Sequence, residues 1–384
     1  MKTKSSVLKV HLNRYLKAEK VEKGKLLDSL EVSLEMHRKA IIRRFKKLQM
    51  KDVGSEDKRG REVYYGKDVD GALKEVWIIG AEICAERLKP ILNEYIEILE
   101  RDKMWKYDDI ITGKLRAMSL GTMKNRILKF PKELNNRKGL SATKPSSLKE
   151  LIPIRRSAWK DTLPGTGEID TVAHCGNSLE GQFTYTVQYT DIEILWCGLE
   201  AQMGKGKIET VASMERMMDR FPFITLILDP DTGSEFINWH MHDTCVKRKI
   251  LLTRIRPGVS NDHGHIEQKN NTNVRKYAGY IRIDEYDRLN ILKEMYVYLE
   301  LYINHFQPSM KCIEKIRHNI SHSSRTYDEA KTPYHRALEH PLITKENKIK
   351  LREIHSKLNP KILQEKIKAL RIKLFKNAKF TKKC

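Results

Sequence analysis

The stretch Leu226-Ile227-Leu228-Asp229-Pro230-Asp231-Thr232-Gly233-Ser234-Glu235-Phe236-Ile237-Asn238 decides how this chain is read. Phe223 to Leu228 is an apolar run of strand length, and Asp229, Pro230 and Gly233 end it in a turn. Such a strand presents carboxylates at its carboxyl end, where open α/β sheets place their sites. Working outward, Asp170 lies in the alternating run Glu168 to His174, which also reads as a strand. Glu267 follows Asp231 after thirty-five intervening residues, in His265-Ile266-Glu267-Gln268-Lys269-Asn270. Acids converging without a counterion raise one another's pKa values and cost stability, so a meeting of these three implies a divalent metal. Asp229 competes with Asp231 for the second position, and Glu235 is a further carboxylate of the same turn.

The blocks EIDTVAHCG (168 to 176), DTGSEFIN (231 to 238), TRIRPG (253 to 258) and NDHGHIEQKN (261 to 270) closely resemble the catalytic core of DDE transposases, the integrase-like recombinases of bacterial insertion sequences. TPYHRAL (332 to 338) and LNP (358 to 360) extend the resemblance toward the C-terminus. It implies an α/β ribonuclease H-like core: a mixed five-stranded sheet with helices, its first and fourth strands side by side. All-α helix-turn-helix modules would precede this core and a basic, mainly α C-terminal region would follow it. The implied activity is that of a polynucleotidyl transferase that binds transposon ends, cleaves phosphodiesters and joins the ends to target DNA. The implied catalytic and metal-binding residues are Asp170, bridging two Mg²⁺ (or Mn²⁺) ions, with Asp231 completing one and Glu267 the other. Asp231 is favoured over Asp229 by its spacing to Glu267 and by the family's D-x-G-S-E-F pattern. His263 and His265 have no Cys or further His at zinc-like spacing nearby. Two departures stand out: Thr232 replaces the usual Asn, and Val259-Ser260 replaces residues that are commonly basic. The implied partners are double-stranded DNA, both terminal inverted repeats and target, and further copies of the chain, at least a dimer on DNA. A rival reading keeps only DNA binding, as in a catalytically inert or host-adopted descendant of a transposase.

Charge fits a polyanion partner. The 384-residue chain has a formal net charge of +23, distributed unevenly. Residues 1 to 50 hold 14 Lys/Arg against 5 Asp/Glu, and residues 341 to 384 hold 14 against 3, whereas residues 164 to 280 hold 12 against 15. Basic ends around a slightly acidic middle suit a protein that grips a polyanion and holds cations at its centre. The absence of long apolar runs or a signal core leads to an expectation of a cytoplasmic, nucleoid-associated protein without a membrane partner. Six scattered cysteines without a C-x-x-C pair argue against a disulfide framework and a structural zinc.

Along the chain the expected regions are 1–60, a first helix-turn-helix; 61–135, a second helical region; 136–163, a basic linker; 164–306, the catalytic core; and 307–384, a basic C-terminal region. In the first, Ser33 is expected to cap a helix whose apolar stripe is Met36, Ala40, Ile41, Phe45 and Leu48 and whose other face carries Arg38, Lys39, Arg43 and Arg44. A long helix over 69–102 should break at Pro90. In the second module Ser119 is expected to cap a helix presenting Thr122, Lys124 and Arg126 to DNA. Strands are expected at 168–174, 182–190, 193–199, 223–228 and 249–254, with helices over 208–218, 238–247 and 285–305. A further helix should carry Glu267 together with Lys269, Arg275 and Lys276, which are positioned to steer DNA phosphates.

Overall fold

The computed structural model describes residues 4–49, 64–131, 162–231, 233–253, 266, 269–317 and 323–376. They belong to two compact units, 1–64 and 65–384. The first unit contains α1 (Lys4–Lys17), α2 (Lys20–Leu34) and α3 (Arg38–Gln49), packed around Leu8, Leu26, Leu27, Leu30, Leu34, Ile41 and Phe45. The apolar stripe of α3 therefore faces inward as its spacing predicts. Ser33 does not cap it. That residue lies in the last turn of α2 and its hydroxyl donates back to the Ser29 carbonyl. Glu35, left-handed at φ 49°, ends α2 instead, and the Glu31 carboxylate accepts from the Arg38 N–H at 3.1 Å to start α3.

In the second unit the expected long helix is two, α4 (Lys67–Ile79) and α5 (Ala85–Arg101). The break falls at residues 80–84, not at Pro90. Ala81 and Glu82 are left-handed, and the buried Trp77 fixes the turn by donating from its indole N–H to the Ile83 carbonyl at 3.0 Å. Pro90 sits inside α5, where it removes a single bond to a carbonyl of the first turn. Next come α6 (Asp109–Ala117), capped by Asp108, and α7 (Leu120–Ile127), capped by Ser119, which accepts from the Thr122 N–H as expected.

The sheet has five strands in the order β3-β2-β1-β4-β5: β1 (Thr166–Ala173), β2 (Thr184–Asp191), β3 (Cys197–Met203), β4 (Ile227–Pro230) and β5 (Leu251–Leu252). The β1–β2 and β2–β3 pairs are antiparallel, while β1–β4 and β4–β5 are parallel. The first and fourth strands thus lie side by side, as the resemblance implies. Two strands start later than their apolar runs suggest. Before β3, Asp191 accepts from the N–H groups of Glu193 and Ile194, and Leu195 is left-handed, so 192–196 is a turn. Before β4, the N–H groups of Leu226 and Ile227 both go to the Gly165 carbonyl, so the ladder begins only at Ile227 and runs on through Asp229 to Pro230.

Helices cover both sheet faces. Ile169, Val187, Tyr189 and Leu228 pack on one side with α8 (Lys207–Met218) and α9 (Trp239–Lys247), the latter capped by Asn238. Val172, Cys197, Leu199 and Ala201 pack on the other with α4, α5, α10 (Tyr286–Phe306) and α13 (Pro360–Phe375). One apolar core therefore joins the N-terminal helices of this unit, the sheet and the C-terminal helix. The outer edge of β3 is sealed by α10: the Asn304 side chain accepts from the Cys197 N–H at 2.9 Å and donates to its carbonyl at 2.8 Å, and Glu300 accepts from the Leu199 N–H. Such sealing blocks pairing with another strand. After α10 comes a hairpin that the sequence reading lacks, β6 (Cys312–Arg317) with β7 (Ser323–Tyr327), then α11 (Pro333–Glu339), α12 (Lys345–Ser356) and α13, capped by Asn359. Among the described residues no helix is long and apolar enough to cross a membrane.

Candidate active site

The register of β1 against β4 brings the acids together. Glu168 pairs with Asp229 and Ile169 with Pro230, so the next step along both strands sets Asp170 beside Asp231. Because side chains alternate along a strand, all four acids project toward the face covered by α10. The inner pair is wholly buried. Asp229 accepts from the Thr253 hydroxyl at 2.6 Å, and Glu168 accepts from the Ile266 N–H at 3.0 Å. The outer pair, Asp170 and Asp231, is half-buried at the strand ends.

Asp170 accepts from the Thr171 N–H and from the Asn270 amide, both at 2.7 Å. Asp231 accepts from the Gly233 N–H at 2.8 Å. Burial first, and then the negative charge of Asp231 with a smaller addition from Glu235, pushes the Asp170 carboxyl up to about 7. Glu235 is buried at 3% exposure. Its Oε1 accepts from the Thr171 hydroxyl at 3.1 Å and lies 3.4 Å from the Lys205 ammonium, while Oε2 has no hydrogen-bond partner. Gly233 is required between these acids: a Cβ there would meet Glu235 Oε2 at 2.5 Å and Asp231 Oδ1 at 2.8 Å.

The donor set suits a hard cation. Carboxylate oxygens of Asp170 and Asp231 lie side by side, and near them Glu235 Oε2 and Asn270 Oδ1 are buried without a hydrogen-bond partner among the described residues. Asp170 and Asp231 alone are too few for a closed cage, and among the described residues no three His, Cys, Asp or Glu side chains converge on an ion. Glu267 lies outside the described residues, as do His263, His265, Gln268, Thr232 and Val259-Ser260. Its neighbours do reach β1. Ile266 bonds to Glu168, and Asn270 opens a π-helical turn, Asn270–Arg275, that bonds to Asp170.

The basic residues assigned to DNA fall into two groups. On α3, Lys39, Arg43 and Arg44 are exposed, and Arg38 is paired with Asp28 at 2.6 Å. The others are engaged within the second unit. Lys124 pairs with Glu86, Arg126 bonds to Asp70 and the Tyr65 carbonyl, and Thr122 bonds to Ser119. Lys269 donates to Ser309, and burial lowers its pKa. Arg275 donates to the Ala173 carbonyl at 2.8 Å and lies over the Tyr280 ring, and Lys276 donates to the Ala81 carbonyl. Sequence reasoning gave Asn270 only as a flank of Glu267, without its bond to Asp170, and passed over Lys205. The first sits in a quoted block as an ordinary amide, and nothing local marks the second, on a turn thirty residues from its acidic partner.

These features define an α/β protein with a carboxylate pair at the ends of two adjacent parallel strands. The chain belongs to the same family as "Uncharacterized protein y4rM" of Sinorhizobium fredii (strain NBRC 101917 / NGR234), to which it is 30% identical over 320 residues, 83% of this chain and 90% of that protein. No family model matches the chain. Among solved structures it is similar to the HTLV-2 integrase catalytic core domain in complex with magnesium, at 11% identity and a TM-score of 0.29 over 39% of this chain and 93% of that one. It is also similar to the catalytic core domain of BIV integrase, at 13% identity and a TM-score of 0.28 over 44% and 91%.

Proposed function

We propose that this chain is a DDE-type polynucleotidyl transferase, a transposase that binds the ends of its element and carries out cleavage and strand transfer. The observation that carries this reading is the Asp170–Asp231 pair, two carboxylates set side by side by the parallel β1–β4 ladder, close enough for the charge of one to raise the pKa of the other. Glu267 would be the third acid, and Asp170, Asp231 and Glu267 would together hold Mg²⁺ or Mn²⁺. When bound, such ions lower the pKa of an attacking water and neutralise the departing oxygen of a phosphodiester. The chain's own groups orient the ligands: the Asn270 amide and the Thr171 N–H fix the Asp170 carboxylate, and the Gly233 N–H fixes Asp231. The apolar packing of α10 and of α8 and α9 on the two sheet faces holds the strand ends rigid.

On this reading the exposed basic face of α3 contacts duplex DNA as the recognition helix of a helix-turn-helix, and the α6–α7 pair is a second such module. At least two copies act together at two ends, on the nucleoid. The test uses duplexes carrying the inverted repeats that flank the gene, with Mg²⁺, comparing wild type with Asp231→Ala. End cleavage and a joined product from wild type alone support the reading. DNA binding without cleavage by both proteins overturns it, and cleavage without any joined product reduces it to a nuclease.

A further inference from the structure

We propose that Lys205 is a nucleic-acid contact of this site, its ammonium receiving a backbone phosphate of duplex DNA, with Glu235 and Thr171 as the arm that holds it in place. The inference rests on the reading just given and adds to it a residue that neither the acidic blocks nor the basic segments of the sequence include.

Lys205 stands on the turn between β3 and α8, between two glycines. Gly204 takes a left-handed φ of +72°, its N–H donates to the Phe183 carbonyl at 2.8 Å, and its carbonyl accepts from Gln202 at 3.1 Å. The turn is therefore anchored by its backbone while the lysine leaves it sideways. The side chain is 34% exposed, whereas that of Glu235 is 3% exposed, so the ammonium lies on the solvent side of Glu235. It reaches the site from over the Tyr185 ring, 5.8 Å from the centroid.

The contact to Glu235 is a loose one. At 3.4 Å it exceeds the usual length of a charge-assisted hydrogen bond. An ammonium has three donors, and this bond occupies at most one. Glu235 is itself fixed from behind by the Thr171 hydroxyl, on the residue next to Asp170. A cation held on Glu235, whose other oxygen shares the space around Gly233 with Asp231 Oδ1, is placed to meet the phosphate of a strand whose neighbouring phosphodiester lies at Asp170 and Asp231. A lysine that only neutralised the buried Glu235 would leave DNA binding unchanged when removed.

The experiment compares wild type, Lys205→Ala, Lys205→Arg and Glu235→Gln. For each, duplex binding is measured across a salt series, KM and kcat are measured for end cleavage, and Tm is recorded. The expected result for Lys205→Ala is a KM for DNA raised about tenfold, the loss of one charge-assisted bond. The log–log salt slope becomes shallower by about 0.9, one phosphate contact, with kcat nearly unchanged. Lys205→Arg restores the slope. Glu235→Gln keeps the charge but frees the arm, so the slope is retained while KM rises. An unchanged slope and KM in Lys205→Ala, with or without a fall in Tm, overturns the inference and leaves a counterion. The recombinase reading fails separately, if wild type cleaves nothing or Asp231→Ala cleaves equally well, because the salt slope of Lys205→Ala is read from binding alone.

Discussion

Asp170 and Glu94 are both carboxylates set into the second unit, and their surroundings drive them in opposite directions. Asp170 faces Asp231 and is pushed up to about 7 by burial and by that like charge. Glu94, on α5, lies with one oxygen 3.2 Å from the His335 imidazole on α11 and with the other 3.2 Å from that of His355 on α12. Burial opposes its charge, but the hydrogen bonds from the two imidazoles outweigh it and bring the Glu94 carboxyl down to about 2. His305 joins the same cluster, 3.1 Å from His355, and Tyr334 stacks on His355 at 4.1 Å. One acid is completed by its own fold and serves as a clasp between helices. The other stands beside a like charge, an arrangement that costs stability unless a cation is bound there.

The largest effect that separates the two centres is on activity. Asp231→Asn or Asp170→Asn should reduce end cleavage by at least about a thousandfold, since an electrostatic contribution of this kind is worth several kcal/mol. The same substitutions should raise the Tm of the metal-free protein, because a like-charge repulsion is removed. A fall in Tm with activity retained would reverse the roles assigned to the two acids. Glu94→Ala is the opposite case: about 1–3 kcal/mol of stability is lost with two imidazoles left without their acceptor, and kcat for cleavage is kept at temperatures where the variant is folded. Denaturant unfolding measures the first and end cleavage the second.

Acid should break the clasp first. The Glu94 carboxyl is depressed in the fold, so its stabilisation is complete above its ordinary pKa of 4.5 and is lost as pH falls toward about 2. Burial, with the neighbouring His355 adding to it, lowers His305 to about 3, so the unfolded chain takes up a proton that the fold refuses as pH falls below 6.5. Both terms have the same sign, so the contribution of this cluster to stability should decline from pH 6.5 downward, while Asp170 and Asp191, each raised to about 7, act in the opposite sense between pH 7 and 3.8. In Glu94→Gln the part of that decline below pH 4.5 should flatten, which a Tm series across pH would detect. Mg²⁺ gives the complementary test. It should raise the Tm of wild type and leave that of Asp170→Asn nearly unchanged, and an equal shift in both would place the ion elsewhere.

The smallest expected differences lie among the basic residues. Arg43→Ala or Lys39→Ala, on the exposed face of α3, should weaken duplex binding a fewfold and reduce the salt slope by about 0.9 each. Arg126→Ala, which removes the bonds to Asp70 and the Tyr65 carbonyl, should cost about 1 kcal/mol of stability and leave the slope alone. A slope change at Arg126 would show that its side chain also reaches a DNA phosphate.

Much of this architecture was legible from local signals. Alternating and apolar runs located β1, β2 and β4 to within a few residues. Ser119 marked a helix start because a short polar side chain satisfies an orphan N–H within its own turn, and Asn238 and Asn359 do the same at starts not read as caps. The apolar spacing of 285–305 gave α10 to within a residue. Signals of this kind act over a few residues, so the sequence carries them openly. Where a local rule met a tertiary contact, the contact prevailed. Trp77 and the left-handed Ala81 and Glu82 broke a helix that Pro90 did not, Asp191 delayed β3, and the β1 ladder carried β4 on past its apolar run.

The sequence by itself determined which acids are available and that strands would present them, because carboxylate identity and strand period are properties of short segments. Only the tertiary structure decided which groups meet. Asn270 reaches Asp170 across a hundred residues, Glu235 takes its place through Thr171 and Lys205, and Glu94 joins helices near the two ends of the second unit. Such meetings depend on strand order and on how each helix covers the sheet, and the free energy that fixes them comes from burial shared by segments far apart in the chain.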